Sequence, residues 1–246
     1  SFTTTAALVD GGVPFLQRWT LIHYRQLLSS DPPFWRFLLN STVLASASTV
    51  LTIALAIPAA YGLVRLPQRW LRVSRALIAG AALFPYVLLF LALLELARSL
   101  NLGNSLLALA IPYSALSLPL ALLLLTAAFE GLPKDLDDAA KLEGMSLVQR
   151  LRWVLIPLIA PATASTAILV FLFAWNEYPI ALTWLSRSEQ LTLPVAMARI
   201  AGSSVYSVPY GAYAAATVLG ALPLLLLVLL FQRQIVSGLT NGAVKG

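Results

Sequence analysis

The sequence contains no cysteine and a single histidine, His23, in 246 residues. Without thiols there is no disulfide framework, and one imidazole cannot assemble a His/Cys metal centre. Charge is scarce too: 11% of residues are charged, against about a quarter in an ordinary soluble domain. There is no P-loop, no nucleophile beside a base and no metal-ligand constellation, so neither catalytic nor metal residues are expected. No internal repeat is evident, which leaves the inverted-repeat plan of many secondary transporters unsupported. The net charge of +6 is scattered through short loops rather than gathered in a stripe, so nucleic acid is not an expected partner.

What is present is apolar. Hydrophobic residues make up 59% of the chain and mean hydropathy is +0.85, values of an integral membrane protein in contact with lipid. Uncharged runs long enough to cross a ~30 Å hydrocarbon core occur at Phe37–Val64, Ala76–Leu94, Leu100–Phe129, Trp153–Asn176 and Ile200–Gln232. The expectation is an all-α, polytopic membrane helical bundle with five spans. An odd number places the termini on opposite sides. Arg65, Arg69, Arg72, Arg75, Lys134, Lys141, Arg150, Arg152, Arg233 and Lys245 then share one side, against Arg18, Arg25, Arg36, Arg98, Arg187 and Arg199 on the other. Basic residues are retained in the cytoplasm, so the first set is inside.

This topology puts residues 1–35 outside, with a short interfacial helix over Gln17–Leu28 that holds Trp19 and Tyr24 at headgroup level. His23 reads as a surface residue rather than a proton switch. Because the chain begins at Ser1 and not Met, a sixth, N-terminal signal-anchor span is expected to precede it. The transmembrane portion then covers 36–236, with 237–246 as a glycine-containing tail expected to be extended. Proline at Pro58, Pro85, Pro112 and Pro119 either kinks spans or interrupts them beside a pathway, where Tyr86 and Tyr113 are placed. The fourth run ends in Trp175-Asn176-Glu177, an amide and a carboxylate among aromatics. These either bind a polar ligand or form an interfacial belt.

The one long polar stretch between apolar runs lies at 133–150. Pro133 followed by Asp135, Asp137 and Asp138 starts a helix, since carboxylates oppose the positive end of its dipole. The helix should run to Glu143 with a small face of Ala139 and Ala140. Gly144 can take the left-handed conformation that ends it, and Ser146 with Gln149 has capping-box spacing for the next helix. A solvated loop between membrane helices is one reading of this stretch.

The order Asp138-Ala139-Ala140, Gly144 and Ile156-Pro157 resembles the EAA loop of permease subunits in ATP-binding-cassette (ABC) importers. Asp138 stands for the usual Glu, and Glu143 where Asp is common. Trp175-Asn176-Glu177, Leu193-Pro194 and the ending from Gly238 to Gly246 are similar to MalG-type permeases of carbohydrate importers, with Asn241 where Ala is frequent. The resemblance implies a type I ABC importer permease fold in a bacterial-type inner membrane. It implies that Asp138, Ala139, Ala140, Glu143, Gly144 and Ser146 contact an ATPase subunit, and that Gly238, Thr240, Asn241, Gly242 and Lys245 do so from the tail. Implied partners are a second homologous permease, two ATPase subunits that bind ATP and Mg, and an external solute-binding protein. The solute would be an oligosaccharide or related polyol, with Trp175, Asn176, Glu177, Tyr86 and Tyr113 lining its path. Permeases for amino acids or oxyanions, or a structural membrane protein, are the alternatives.

Overall fold

The structure, a computed structural model, describes residue 2, residues 20–201 and residues 209–243, without the side chains of Lys134 and of residues 233–243. Among the described residues there is helix and no strand. In order these are α1 (Ile22–Leu28), α2 (Phe34–Val64), α3 (Gln68–Ala82), a 3₁₀ turn (Tyr86–Leu89), α4 (Phe90–Ser99), α5 (Leu106–Glu130) and α6 (Lys134–Leu142). There follow α7 (Leu147–Leu158), α8 (Ala160–Asn176), α9 (Pro179–Trp184), α10 (Leu193–Ala201) and α11 (Tyr210–Ala243). Helices satisfy their own backbone groups, which is the condition for crossing hydrocarbon.

Three helices, α2, α5 and the part of α11 up to Gln232, are long and apolar enough to span, and α2 and α5 do so with Pro58, Pro112 and Pro119 inside them. Two more crossings are obtained by counting each bent pair as one, which gives the five expected. The bends are what hydropathy does not report. Between α3 and the turn before α4 the axis changes by 75°, at Leu83–Pro85. Pro85 has no N–H to donate and pushes Phe84 away from helical dihedrals, so the span breaks rather than kinks. Between α7 and α8 the change is 82°, beside Ile159, with Pro157 and Pro161 on either side. The π-helical segment Arg150–Leu155 precedes that bend, a wider winding often found where a helix accommodates a proline or an insertion. The third span starts at Leu106 rather than Leu100, because left-handed Asn101 (φ 55°) ends the preceding helix just after its C-cap Leu100, and a second left-handed residue, Asn104 (φ 59°), keeps the chain from winding again before Leu106.

The final helix differs from expectation at its other end. It runs through Gly238 and Gly242 to Ala243, where the sequence suggests an extended tail. Extending an existing helix needs no new nucleus, so the roughly 1 kcal/mol disadvantage of each glycine does not stop it.

The chain divides into two compact units. One holds residues Ser1–Leu44, Val87–Leu109 and Trp175–Val228. In it α9 packs on α4. The Asn40 amide donates to the carbonyls of Glu189 and Leu191, both at 2.9 Å, and the Leu193 N–H donates to Ser41 Oγ at 2.8 Å. Asn104 Oδ1 accepts from the N–H groups of Ser186 (2.6 Å) and Arg187 (3.1 Å), and the Trp184 indole donates to the Ser105 carbonyl. His23 is buried rather than at the surface: its imidazole lies against Gly211, where a β-carbon would stand 2.2 Å from Nε2. Residues 17–19 of the expected interfacial helix, Trp19 among them, lie outside the described residues, and Thr20 and Leu21 are not helical, so the described helix starts at Ile22.

The other unit holds Ala45–Tyr86, Ala110–Ala174 and Leu229–Gly246. Its core is Ala56, Ala60, Ala121, Leu125, Phe129, Leu155, Ile159 and Val170, so small residues on α2 face larger ones on α5 and α7. Ser114 Oγ donates to the Ser48 carbonyl at 3.1 Å as well as to its own helix, a hydroxyl link between α2 and α5. Close approach through small and hydroxyl residues is how helices associate where lipid removes the hydrophobic drive.

The contact of His23 with Gly211 gives a test. Gly211→Ala should lower the thermal midpoint of the purified protein, at a cost of about 1–3 kcal/mol for overpacking. His23→Ala combined with it should recover most of the loss. Equal midpoints for Gly211→Ala and the native chain would contradict this packing.

Candidate functional site

The polar loop is built by three local devices. In α6 the acidic residues Asp135 and Asp137 occupy the first turn and Lys141 the last, as the helix dipole favours. Its end is a Schellman motif: the Met145 N–H donates to the Ala140 carbonyl (3.1 Å) and the Gly144 N–H to that of Lys141 (3.0 Å). Gly144 has φ +76°, the conformation only glycine takes without strain. Immediately after it Ser146 caps α7. Its hydroxyl accepts from Gln149 N–H while Gln149 Oε1 accepts from Ser146 N–H at 2.8 Å, a reciprocal capping box. The hydroxyl of Ser146 is thus engaged in holding the turn.

One face of α6 is held by a carboxylate that sequence reading did not single out. The Asp137 side chain is 4% exposed. Its Oδ1 accepts from Arg150 at 2.7 Å, and its Oδ2 accepts from the Tyr61 hydroxyl at 2.9 Å and pairs with Arg65. Arg150 also donates to the Tyr61 oxygen at 3.2 Å, and the Arg65 guanidinium lies over the Tyr61 ring at 5.0 Å. Tyr61 in turn meets Phe129 edge-on. A buried carboxylate keeps its charge only with such partners. Asp137 reads in sequence as one of several helix-dipole carboxylates, and its partner Tyr61 is 76 residues away, so no spacing signal connects them.

The expected alanine face is divided by this anchoring. Ala140, one turn on from Asp137, is 7% exposed and packs within the chain, whereas Ala139 points away and is exposed. Successive residues turn by about 100°, so Ala139 and Ala140 cannot both lie beside Asp137. Outward from the loop stand Leu142, 90% exposed, with Leu147 and Val148, alongside exposed Asp138 and Glu143. Asp138 makes an exposed pair with Lys141 at 3.4 Å, an interaction worth about 0–1 kcal/mol.

The candidate pathway residues fall into two groups. Tyr86 and Tyr113 come together on Phe173, with ring centroids at 5.4 and 6.2 Å and edge-to-face geometry, in the unit that holds the loop. Trp175, Asn176 and Glu177 belong to the other unit. Trp175 and Glu177 are buried, while Asn176 is exposed. The two oxygens of Glu177 accept from the N–H groups of Ile180 (2.9 Å) and Ala181 (3.1 Å), so its carboxylate starts α9 by satisfying first-turn donors that have no acceptor within the helix. The 82° bend divides the fourth run, so the straight segment that leads to this site is α8 alone, 17 residues with Glu177 following its last. In the tail, Gly238, Thr240, Asn241 and Gly242 are helical, while their side chains and all of Lys245 lie outside the described residues. Among the described residues no group of His, Cys, Asp or Glu could hold a metal ion.

Glu177→Ala should destabilise the purified protein by about 1–2 kcal/mol, the usual range for a lost helix cap, and Glu177→Gln, which keeps one acceptor oxygen, by less. Thermal unfolding in detergent measures both. A Gln variant less stable than the Ala variant would contradict the capping role.

Comparison with known proteins fits this geometry. A model of the family described as binding-protein-dependent transport system inner membrane component matches residues 52–241. The sulfoquinovosyl glycerol transport system permease protein SmoH of Agrobacterium fabrum is 40% identical over 92% of this chain and 79% of its own. The trehalose transport system permease protein SugB of Mycobacterium tuberculosis is 39% identical over 92% and 82%. For the trehalose/maltose transport system permease protein MalG of Thermococcus litoralis the figures are 39%, 96% and 85%. A chain in the crystal structure of a bacterial ABC transporter involved in the import of the acidic polysaccharide alginate superposes with a TM-score of 0.76 over 94% of this chain and 86% of that one. At 22% identity that likeness concerns the fold, which is the type I ABC importer permease fold. A family match through most of the chain, relatives at 39–40% identity and a helix–glycine–capping-box loop in the expected place lead to one assignment: the chain belongs to the inner membrane permease components of binding-protein-dependent transport systems.

Proposed function

We propose that this chain is the permease subunit of an ATP-driven importer of sugar-containing solutes, an oligosaccharide or related polyol. Relatives named for trehalose, trehalose/maltose and diacetylchitobiose support the sugar class. The five apolar runs carry no Lys or Arg, which disfavours an oxyanion as cargo, since a buried anion needs cationic partners. A second homologous permease completes the pathway, and an external binding protein delivers the solute. Two ATPase subunits bind ATP and Mg and hydrolyse it; this chain does no chemistry.

The observation that carries the reading is the loop at 133–150. It is fixed on one face by Asp137 and offers Leu142, Leu147 and Val148 to a partner on the other. Exposed apolar side chains on a polar loop mark an interaction surface. We assign the ATPase contact to these residues together with Asp138, Ala139 and Glu143, and give Gly144 and Ser146 the task of shaping the turn. Loop and C-terminus are cytoplasmic by the basic-residue rule, and the helical tail around Gly238 to Gly242 is a second contact with the ATPases. Candidate solute contacts are assigned to each unit by itself: exposed Asn176 beside Trp175 offers an amide in one, with Glu177 keeping that segment in place, and half-buried Tyr86 offers an aromatic ring in the other, with Tyr113 fully buried behind it on Phe173.

The absence of cysteine makes the test direct. In the complete transporter with Leu142→Cys, a bifunctional thiol reagent should link this chain to an ATPase subunit carrying one cysteine in its docking cleft. An impermeant maleimide should leave that cysteine unlabelled in intact cells. Uptake into proteoliposomes should favour sugar-containing solutes over amino acids and inorganic oxyanions. External labelling of Leu142→Cys or absence of the cross-link would overturn the orientation or the docking, respectively.

A further inference from the structure

We propose that Asp137 is a positioning residue of the transport cycle: it fastens α6 to the C-terminal end of α2 and to the start of α7, so that a displacement of α6 reaches two spans at once. This rests on the docking role proposed above for the same loop. The carboxylate is nearly inaccessible, and its partners come from two other elements. Arg65 and Tyr61 lie at the end of α2, and Arg150 opens the π-helical segment of α7. Both oxygens are engaged, Oδ1 by Arg150 and Oδ2 by Tyr61 and Arg65, which fixes the roll of α6 about its axis as well as its distance. An apolar contact alone would let a nine-residue helix roll or slide. The opposite face of α6 is exposed, with Leu142 and Ala139 outward, so the cluster is the side on which the helix is held.

The geometry also accounts for the order of the elements. The Schellman turn and the capping box leave only Glu143, Gly144, Met145 and Ser146 between α6 and α7. Asp137 and Arg150 thus close a short loop on itself at 2.7 Å. The loop becomes a rigid unit whose two sides are α6 and the first turns of α7, with α2 joined to it through Tyr61 and Arg65. The pair between Arg75 and Glu130 offers a contrast: it lies in the same unit, is about one-third exposed and joins α3 to the end of α5 rather than holding α6.

The test uses the complete transporter in proteoliposomes, with ATP hydrolysis and uptake of radiolabelled solute measured together. Asp137→Asn should lower the solute moved per ATP at least about fivefold, the lower end of couplings between distant sites. Glu130→Gln should leave that ratio at the native value. A merely structural role for Asp137 would reduce the yield of assembled complex and leave the ratio unchanged, and that result would overturn the proposal. Where Asp137→Asn fails to assemble, Tyr61→Phe decides, because it keeps both charges and the ring and removes one hydroxyl. A lowered ratio supports the proposal and a native ratio refutes it. The Leu142→Cys cross-link in the otherwise native complex is scored separately. Its loss counts against docking of the loop, whereas an intact cross-link with an unaltered ratio in Asp137→Asn counts against the role of Asp137 alone.

Discussion

A carboxylate removed from water must be paired, and in this chain the pairing of Asp137 decides how the polar loop is attached to the membrane helices. Two guanidinium groups and a phenol surround a side chain that is 4% exposed. Deleting one partner of such a buried group typically costs about 3–5 kcal/mol, because the remaining charge is left uncompensated. That is a large part of the ~5–15 kcal/mol by which a domain is stable. The cluster therefore persists as a whole, and α6, the end of α2 and the first turns of α7 are placed by it. The Schellman turn at Gly144 and the capping box at Ser146 work with it, since they set the direction in which α7 leaves α6.

Much of this was readable from residue order where the physics is local. The helix of the loop, the left-handed Gly144 and the Ser146–Gln149 box depend on neighbours within five residues, and the structure reproduces them. The spans were readable because hydrocarbon demands long uncharged runs, whatever their sequence. Breaks within spans were not. Pro112 and Pro119 stay inside one helix while Pro85 ends one, although all stand in similar apolar surroundings. The outcome depends on whether neighbouring helices satisfy the freed carbonyl, which is a tertiary property. The same limit hides the partners of Asp137 and puts His23 inside rather than on the surface, against a glycine in the last span. For Glu177 the residue type signalled a site, but two backbone N–H groups occupy its oxygens.

The resulting picture separates roles that the resemblance alone runs together. Within the six loop positions marked by the motif, Ala140 packs within the chain and Gly144 and Ser146 shape the turn, whereas Asp138, Ala139 and Glu143 are exposed, Asp138 in a pair with Lys141. Leu142 and Val148, outside the motif, add the exposed apolar surface. Such a division suits a coupling element, which must be rigid toward its own helices and complementary toward its driver.

Rigidity of that attachment is the central claim, and a distance measurement across the cycle tests it most directly. Spin labels at Asp135→Cys on α6 and Leu66→Cys just beyond α2, in an otherwise cysteine-free chain within the complete transporter, report the separation of the two elements. Between the nucleotide-free and ATP-bound states it should change by no more than about 1–2 Å, the scale of small helix adjustments. A change of about 5 Å, a full helical turn of relative movement, would contradict the claim and make the loop a hinge rather than a lever.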